Sequence, residues 1–172
     1  MIHVNRRRVG VMAVGALGVI LIAAASGYRV APKIIYNPSS SAPHGWYAVK
    51  SPTELHRGDF ALVRLPAPIA RFADERQYLP RTVPLLKQIS AMAGDRVCER
   101  CGLVRINDVV TARSLMRDGA GRPLVAWNEC RPLRDEELFL IGTSSSASFD
   151  SRYYGPVSVE SVIGVAIPLW TW

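Results

Sequence analysis

Several things are scarce in this 172-residue chain, and each scarcity excludes a chemistry. Histidine occurs three times. His44 and His56 fall in loop-like stretches without a nearby carboxylate to orient them, so a Ser–His–Asp triad is poorly supported. Cysteine also occurs three times, and no histidine near Cys98, Cys101 or Cys130 completes a four-ligand zinc site. Lysine is limited to Lys33, Lys50 and Lys87. The arginines that make up the rest of the +7 net charge are scattered singly, apart from Arg6–Arg8, and lack the aromatic interleaving of a nucleic-acid groove. No nucleic-acid partner is expected. No Gly-x-Gly-x-x-Gly opens a helix, which removes dinucleotide binding. Charged residues are 20% and apolar residues 49%, too few and too many for a disordered chain.

What is present begins with an uncharged run from Val9 to Gly27, VGVMAVGALGVILIAAASG. As a helix at 1.5 Å per residue it measures about 28 Å, the thickness of a bilayer's hydrocarbon core. Arg6, Arg7 and Arg8 precede it and should stay cytoplasmic. The reading is a basic N-terminus over 1–8, a single transmembrane anchor over 9–27, and a domain over 28–172 on the far side of the inner membrane. A cleaved signal peptide, with Ala23-Ala24-Ala25-Ser26 as small residues, is the competing reading. The lipid bilayer is thus an expected partner. Three cysteines suit an oxidising compartment and suggest a structural disulfide with one thiol left over, its pairing open.

The rest of the chain reads as a predominantly β domain of many short antiparallel strands. Proline and glycine, 12 and 13 residues, punctuate it. Strands are expected at Trp46–Lys50, Phe60–Leu65, Val83–Met92, Leu103–Met116, Pro123–Trp127, Leu138–Gly142 and Val162–Leu169. A short amphipathic helix or loop is expected over Pro68–Leu79. Residues 28–36 read as a connection, and Asn37–Gly45 as an irregular loop. Trp170 and Trp172 are expected to cover the core more than to dip into a membrane interface.

Lys87 stands out, in the apolar stretch Pro84-Leu85-Leu86-Lys87-Gln88-Ile89. A buried ammonium must pair or lose its proton, and no partner lies in the strand. Two readings stand: a neutral amine acting as general base, or a lysine whose stem packs at a strand edge while its head stays wet. With triad chemistry unsupported, a Ser–Lys pair is the alternative, and Ser39-Ser40-Ser41 between two prolines is the candidate loop. Its other reading is a polar tether.

These residues together resemble the type I signal peptidases of the Ser–Lys class, and within them the TraF-type peptidases of conjugative transfer. Four blocks are similar in order, over roughly residues 5 to 172. Asn37-Pro-Ser-Ser-Ser-Ala-Pro-His-Gly-Trp-Tyr47 resembles the nucleophile box and implies Ser41 as nucleophile. Gly58-Asp59-Phe60 resembles the strand opening that follows. Lys87-Gln-Ile-Ser-Ala-Met-Ala-Gly94-Asp95 implies Lys87 as base, and Gly142 to Gly155, with its Asp150-Ser151-Arg152-Tyr153 centre, resembles the closing box.

The resemblance further implies Ser39 as an oxyanion helper and Ser148 as the serine that orients Lys87. It makes Asp150 and Arg152 supporting groups, and Cys98–Cys130 the disulfide, with Cys101 odd. Thr143-Ser144-Ser145 stands where housekeeping enzymes carry Asp-Asn-Arg, which favours the conjugative branch. The implied activity is peptide cleavage through an acyl-enzyme on a preprotein or propilin, released by water or by the substrate's own terminus to give a cyclic product. No metal or cofactor is implied. Ser41 lies fourteen residues after Gly27, so it stays within about 50 Å of the membrane. A non-catalytic membrane-anchored β scaffold of a secretion or conjugation machine is the alternative.

Overall fold

The structure, a computed structural model, describes residues 10, 12, 14–20 and 33–172. The chain divides into two units, Met1–Ala31 and Pro32–Trp172. In the first, residues 10, 12 and 14–20 are helical, and the rest of the anchor expected over 9–27 lies outside the described residues. Among those described, no helix is long and apolar enough to cross a membrane.

The second unit is built of eleven strands in two antiparallel sheets. The first sheet contains β1 (Ile34–Asn37), β2 (Gly45–Lys50), β3 (Phe60–Val63), β4 (Leu85–Ala91), β9 (Glu137–Ile141), β10 (Val157–Ser158) and β11 (Val162–Thr171). Their order is β1-β2-β11-β3-β4-β9-β10. The second sheet is β7-β6-β5-β8, from β5 (Arg96–Arg100), β6 (Leu103–Ile106), β7 (Val109–Arg113) and β8 (Cys130–Pro132). Two helices complete it, α1 (Ala67–Glu75) and α2 (Ser151–Tyr154).

Strand β9 shows why the sequence folds this way. Side chains alternate across a strand, so an unbroken apolar run must be covered on both faces. Leu138 and Leu140 join Ala61, Val63 and Ile89 in one cluster, while Phe139 and Ile141 join Val97, Val104 and Ile106 in another. Truncating Phe139 to Ala is worth about 3–5 kcal/mol in such a position. A third cluster, of Ala42, Tyr47, Leu62, Leu86 and Ala166, lies under the loop between β1 and β2.

The structure differs from the sequence reading in several places, strands β5, β8 and β10 among them, which were not expected. Leu103–Met116 is not one strand but the hairpin β6–β7, turned at Asn107 and Asp108. Both have positive φ, the backbone of a two-residue hairpin turn. Cys101 and Gly102 make the matching turn between β5 and β6. Pro123–Trp127 forms no strand, only a bridge from Pro123 to Arg117. Residues 34–36, read as part of a connection, and Asn37, read as the start of the irregular loop, form edge strand β1, which pairs with β2.

The two C-terminal tryptophans do not cover the core. Trp170 is 72% exposed and Trp172 65%. Register places Tyr36 opposite Trp46 and Trp46 opposite Trp170 across three adjacent strands. With Ile34, Leu169 and Trp172 also exposed, this end of the sheet presents an apolar, aromatic face to solvent.

Candidate active site

The serine cluster occupies the hairpin loop between β1 and β2, closed by the pair Asn37 and Gly45. Ala42 precedes a proline and is buried, so it pins the loop to the third cluster. The Tyr47 hydroxyl donates to the Pro43 carbonyl at 2.7 Å, and the Thr143 N–H donates to the Ser41 carbonyl at 2.9 Å. The second bond ties the nucleophile box to the closing box. Gly45 must be glycine here, with φ +139° and a Cβ that would lie 2.0 Å from the Trp170 carbonyl oxygen.

Lys87 sits mid-strand on β4 opposite Ala61, on the face it shares with Leu85 and Ile89. It is 2% exposed. Burial lowers its pKa from 10.5 to about 8, with Asp150 opposing the shift and Arg152 adding to it. Gly58 and Asp59 hold β4 at this point, through Gly58 N–H to the Ile89 carbonyl and Ile89 N–H to the Asp59 carbonyl, both at 2.8 Å. Asp95, eight residues past Lys87, accepts from Arg57, from Asn107 at 2.7 Å and from the Met92 N–H at 3.0 Å. Its task is to fix the turn that follows β4.

Ser39, Ser41, Lys87 and Ser148 line one cavity of about 470 Å³. No hydrogen bond joins Ser41 to Lys87; the Ser41 hydroxyl meets that of Ser39 at 3.0 Å. The Ser148 hydroxyl is buried and makes no hydrogen bond among the described residues. The opposite wall comes from α1 and from the turn at Asp118–Arg122. Asp118 closes that wall by accepting from Tyr78 at 2.5 Å and from Arg122 at 2.7 Å. The pairing of Asp118 with Tyr78 does not announce itself in the sequence, because the two lie 40 residues apart.

Asp150 and Arg152 lie behind the closing box. Asp150 caps α2 by accepting the Arg152 N–H, and its carboxylate grips the guanidinium at 2.7 and 2.8 Å. It also accepts the Gly142 N–H at 2.9 Å. The guanidinium donates to the carbonyls of Arg113, Ser146 and Ser148 as well. Both side chains are almost fully buried, so every polar atom in this pair needs these partners. A Cβ on Gly142 would meet the Ser148 hydroxyl at 2.3 Å, which shows how tightly the box is closed.

Two further outcomes concern histidine and cysteine. His56 does have a carboxylate beside it, Asp59 at 3.6 Å, but both are surface groups, and neither His44 nor His56 lines the serine cavity. Cys98 and Cys130 face each other across β5 and β8 and form a disulfide, while Cys101 is exposed and free at its hairpin tip.

Residues 6–171 match the family described as signal peptidase, peptidase S26. The chain belongs to that family. Two plasmid and conjugal transfer proteins named TraF place it further. The plasmid transfer protein TraF of Escherichia coli is 30% identical over 166 residues, covering 90% of this chain and 92% of that protein. The probable conjugal transfer protein TraF of Sinorhizobium fredii is 30% identical, covering 94% and 86%. The chain is a TraF-type member of the S26 peptidases. Among solved structures, a signal peptidase I from Enterococcus faecalis is 19% identical, with a TM-score of 0.39 over 66% of this chain and 97% of that one.

Proposed function

We propose that this protein is a membrane-anchored serine endopeptidase that matures a preprotein or pilin-type substrate of a conjugative system, with Ser41 as nucleophile and Lys87 as base. The observation that carries the proposal is a buried lysine of lowered proton affinity in the same cavity as an exposed serine loop. Neutral Lys87 takes the Ser41 proton, and the serine oxygen attacks the scissile carbonyl. The Ser41 N–H, which has no partner among the described residues, faces the developing oxyanion; a donor of this kind is worth about 2.7–4 kcal/mol. Lys87 then protonates the leaving amine and activates the second nucleophile, water or the substrate's own terminus. Asp150 and Arg152 hold the closing box against the nucleophile loop.

The membrane reading draws support from the aromatic face. Tyr36, Trp46, Trp170 and Trp172 are exposed on one end of the sheet, and amphipathic rings of this type favour the headgroup layer. Strand β1, which carries Tyr36, leads directly into the Ser41 loop, so a substrate cleaved at the end of its own membrane helix would meet the site there. The expected setting is the periplasmic side of the inner membrane.

The test is mass spectrometry of a co-expressed candidate propilin in membranes carrying wild type, Ser41→Ala or Lys87→Ala. Processing by wild type and by neither variant supports the dyad. A product one water lighter than the linear form marks a cyclase. Equal processing by all three would overturn the assignment and leave the scaffold.

A further inference from the structure

A loop with two prolines and three serines has no regular pairing to hold it, yet the nucleophile loop is tightly organised around one side chain. Asn37 ends β1, is 6% exposed, and fills the loop's interior. Its Nδ2 donates to the carbonyls of Ser39 at 3.0 Å, Ala42 at 3.1 Å and Pro43 at 3.0 Å. Its Oδ1 accepts from the Ser39 N–H at 3.1 Å and the Ser39 hydroxyl at 2.8 Å. Five partners of matched sign fix the amide's orientation. The flipped amide would set oxygen against three carbonyls and NH2 against the Ser39 N–H.

Two consequences follow for the chemistry. The carbonyls of Ser39, Ala42 and Pro43 all turn inward to Asn37, and that of Ser41 goes to Thr143. The Ser41 N–H is left without a partner among the described residues, as an oxyanion donor requires. Second, the Ser39 hydroxyl has one proton and two neighbours, Asn37 Oδ1 and Ser41 Oγ. Oδ1 can only accept, so it takes that proton, and Ser39 Oγ faces Ser41 as an acceptor. The nucleophile's lone pairs are then not consumed by Ser39, and with its one proton held by Asn37 the Ser39 hydroxyl does not donate to the oxyanion as the resemblance implied.

We propose that Asn37 is the positioning residue of the nucleophile: it aims the Ser41 N–H at the oxyanion site and fixes the Ser39 proton away from Ser41, without touching substrate. The inference rests on the reading of Ser41 as nucleophile, and nothing in the sequence resemblance assigned Asn37 a task.

The test uses the full chain in detergent and a fluorophosphonate probe, whose labelling of Ser41 is resolved into a limiting rate and an apparent affinity. Wild type, Ser41→Ala, Asn37→Ala and Asn37→Asp are compared. Asn37→Ala is expected to lower the limiting rate about 10²–10³-fold, the usual size for a lost oxyanion donor, with apparent affinity within threefold. Asn37→Asp keeps size and the Oδ1 acceptor but turns a carboxylate toward three carbonyls. It should fall as far, and recover relative to wild type as the pH is lowered and the carboxyl gains a proton. Amide exchange in the wild-type loop needs no variant, and the Ser39 N–H should exchange slowly and the Ser41 N–H fast. Either variant labelling within threefold of wild type, or a protected Ser41 N–H, overturns the proposal even with a reactive Ser41. Wild type that does not label at Ser41 overturns the nucleophile reading itself, and this inference with it.

Discussion

Replacing Lys87 by Met is expected to abolish processing and to stabilise the fold at once. Burial lowers the lysine's pKa from 10.5 to about 8. That separation, at ~1.36 kcal/mol per pH unit, amounts to about 3 kcal/mol. The sign follows from which state holds the proton. Below pH 8 the folded and unfolded chains both carry the ammonium, and folding bears the full cost of burying it. Between pH 8 and 10.5 the unfolded chain keeps the proton and the folded chain releases it, so stability rises with pH. Above 10.5 both are neutral and the cost is gone. Methionine, of similar length and no charge, removes the cost at every pH. At pH 7 the variant should therefore be about 3 kcal/mol more stable, or roughly 6–12 °C in unfolding temperature for a chain of this size. The gap should close as pH approaches 10.5. Thermal unfolding of both full-length proteins at pH 7, 8.5 and 10 reads this difference, and the other titrating groups cancel in it. Lys87→Met no more stable than wild type at pH 7, or a gap that ignores pH, would refute the burial argument. In the same buffers the neutral fraction of Lys87 climbs from about 0.1 at pH 7 to about 0.8 at pH 8.5 and close to 1 at pH 10, so kcat/KM should rise close to tenfold. A flat profile would separate Lys87 from proton transfer.

Asp150→Ala leaves the Arg152 guanidinium buried without its carboxylate and should cost about 3–5 kcal/mol, read as a lower denaturant midpoint; an unchanged midpoint would show that the pair is not buried as described. Gly142→Ala puts a methyl 2.3 Å from the Ser148 hydroxyl and 3.0 Å from the Ser41 carbonyl oxygen. It should lower kcat at least tenfold and stability by about 1–3 kcal/mol, and wild-type kcat would argue against tight closure of the box. Reducing Cys98–Cys130, which spans 32 positions, should cost roughly 3–4 kcal/mol by loop-closure entropy, whereas alkylating Cys101 alone should leave the unfolding midpoint in place.

The parts of the fold legible in the sequence are those where burial is written into composition. Strands β3, β4 and β9 are short apolar runs covered on both faces, and such runs stand out in any window. The hairpin β6–β7 escaped because its turn is Asn107-Asp108, where neither residue is glycine, yet both adopt positive φ. Edge strand β1 escaped for a different reason. Its Ile34 and Tyr36 face solvent while Ile35 and Asn37 face in, so apolar residues stand on both faces and the alternation of an ordinary half-buried strand is missing. The same apolar outer face misplaced Trp170 and Trp172, since only the register of Trp170 with Trp46 and the ring contacts of Trp172 with Tyr36 and Trp170 reveal it.

At the site, the legible element was the anomaly and the illegible one was the frame. A lysine within an apolar strand is improbable unless its environment uses it, so Lys87 could be singled out by cost alone. Ser41 could be found only through the order of four short blocks, because one serine among three in a loop has no distinguishing physics. The frame was hidden because its residues look like ordinary turn formers. Asn37 before a proline reads as a turn residue, and Gly142 as a strand end, until the loop between β1 and β2 is closed against the closing box. There Asn37 acts through five hydrogen bonds to backbone and a neighbouring hydroxyl, and Gly142 through the absence of a side chain. Neither effect belongs to the residue itself. Both arise from what a particular register brings within 3 Å, and register is what a linear pattern of short strands leaves open.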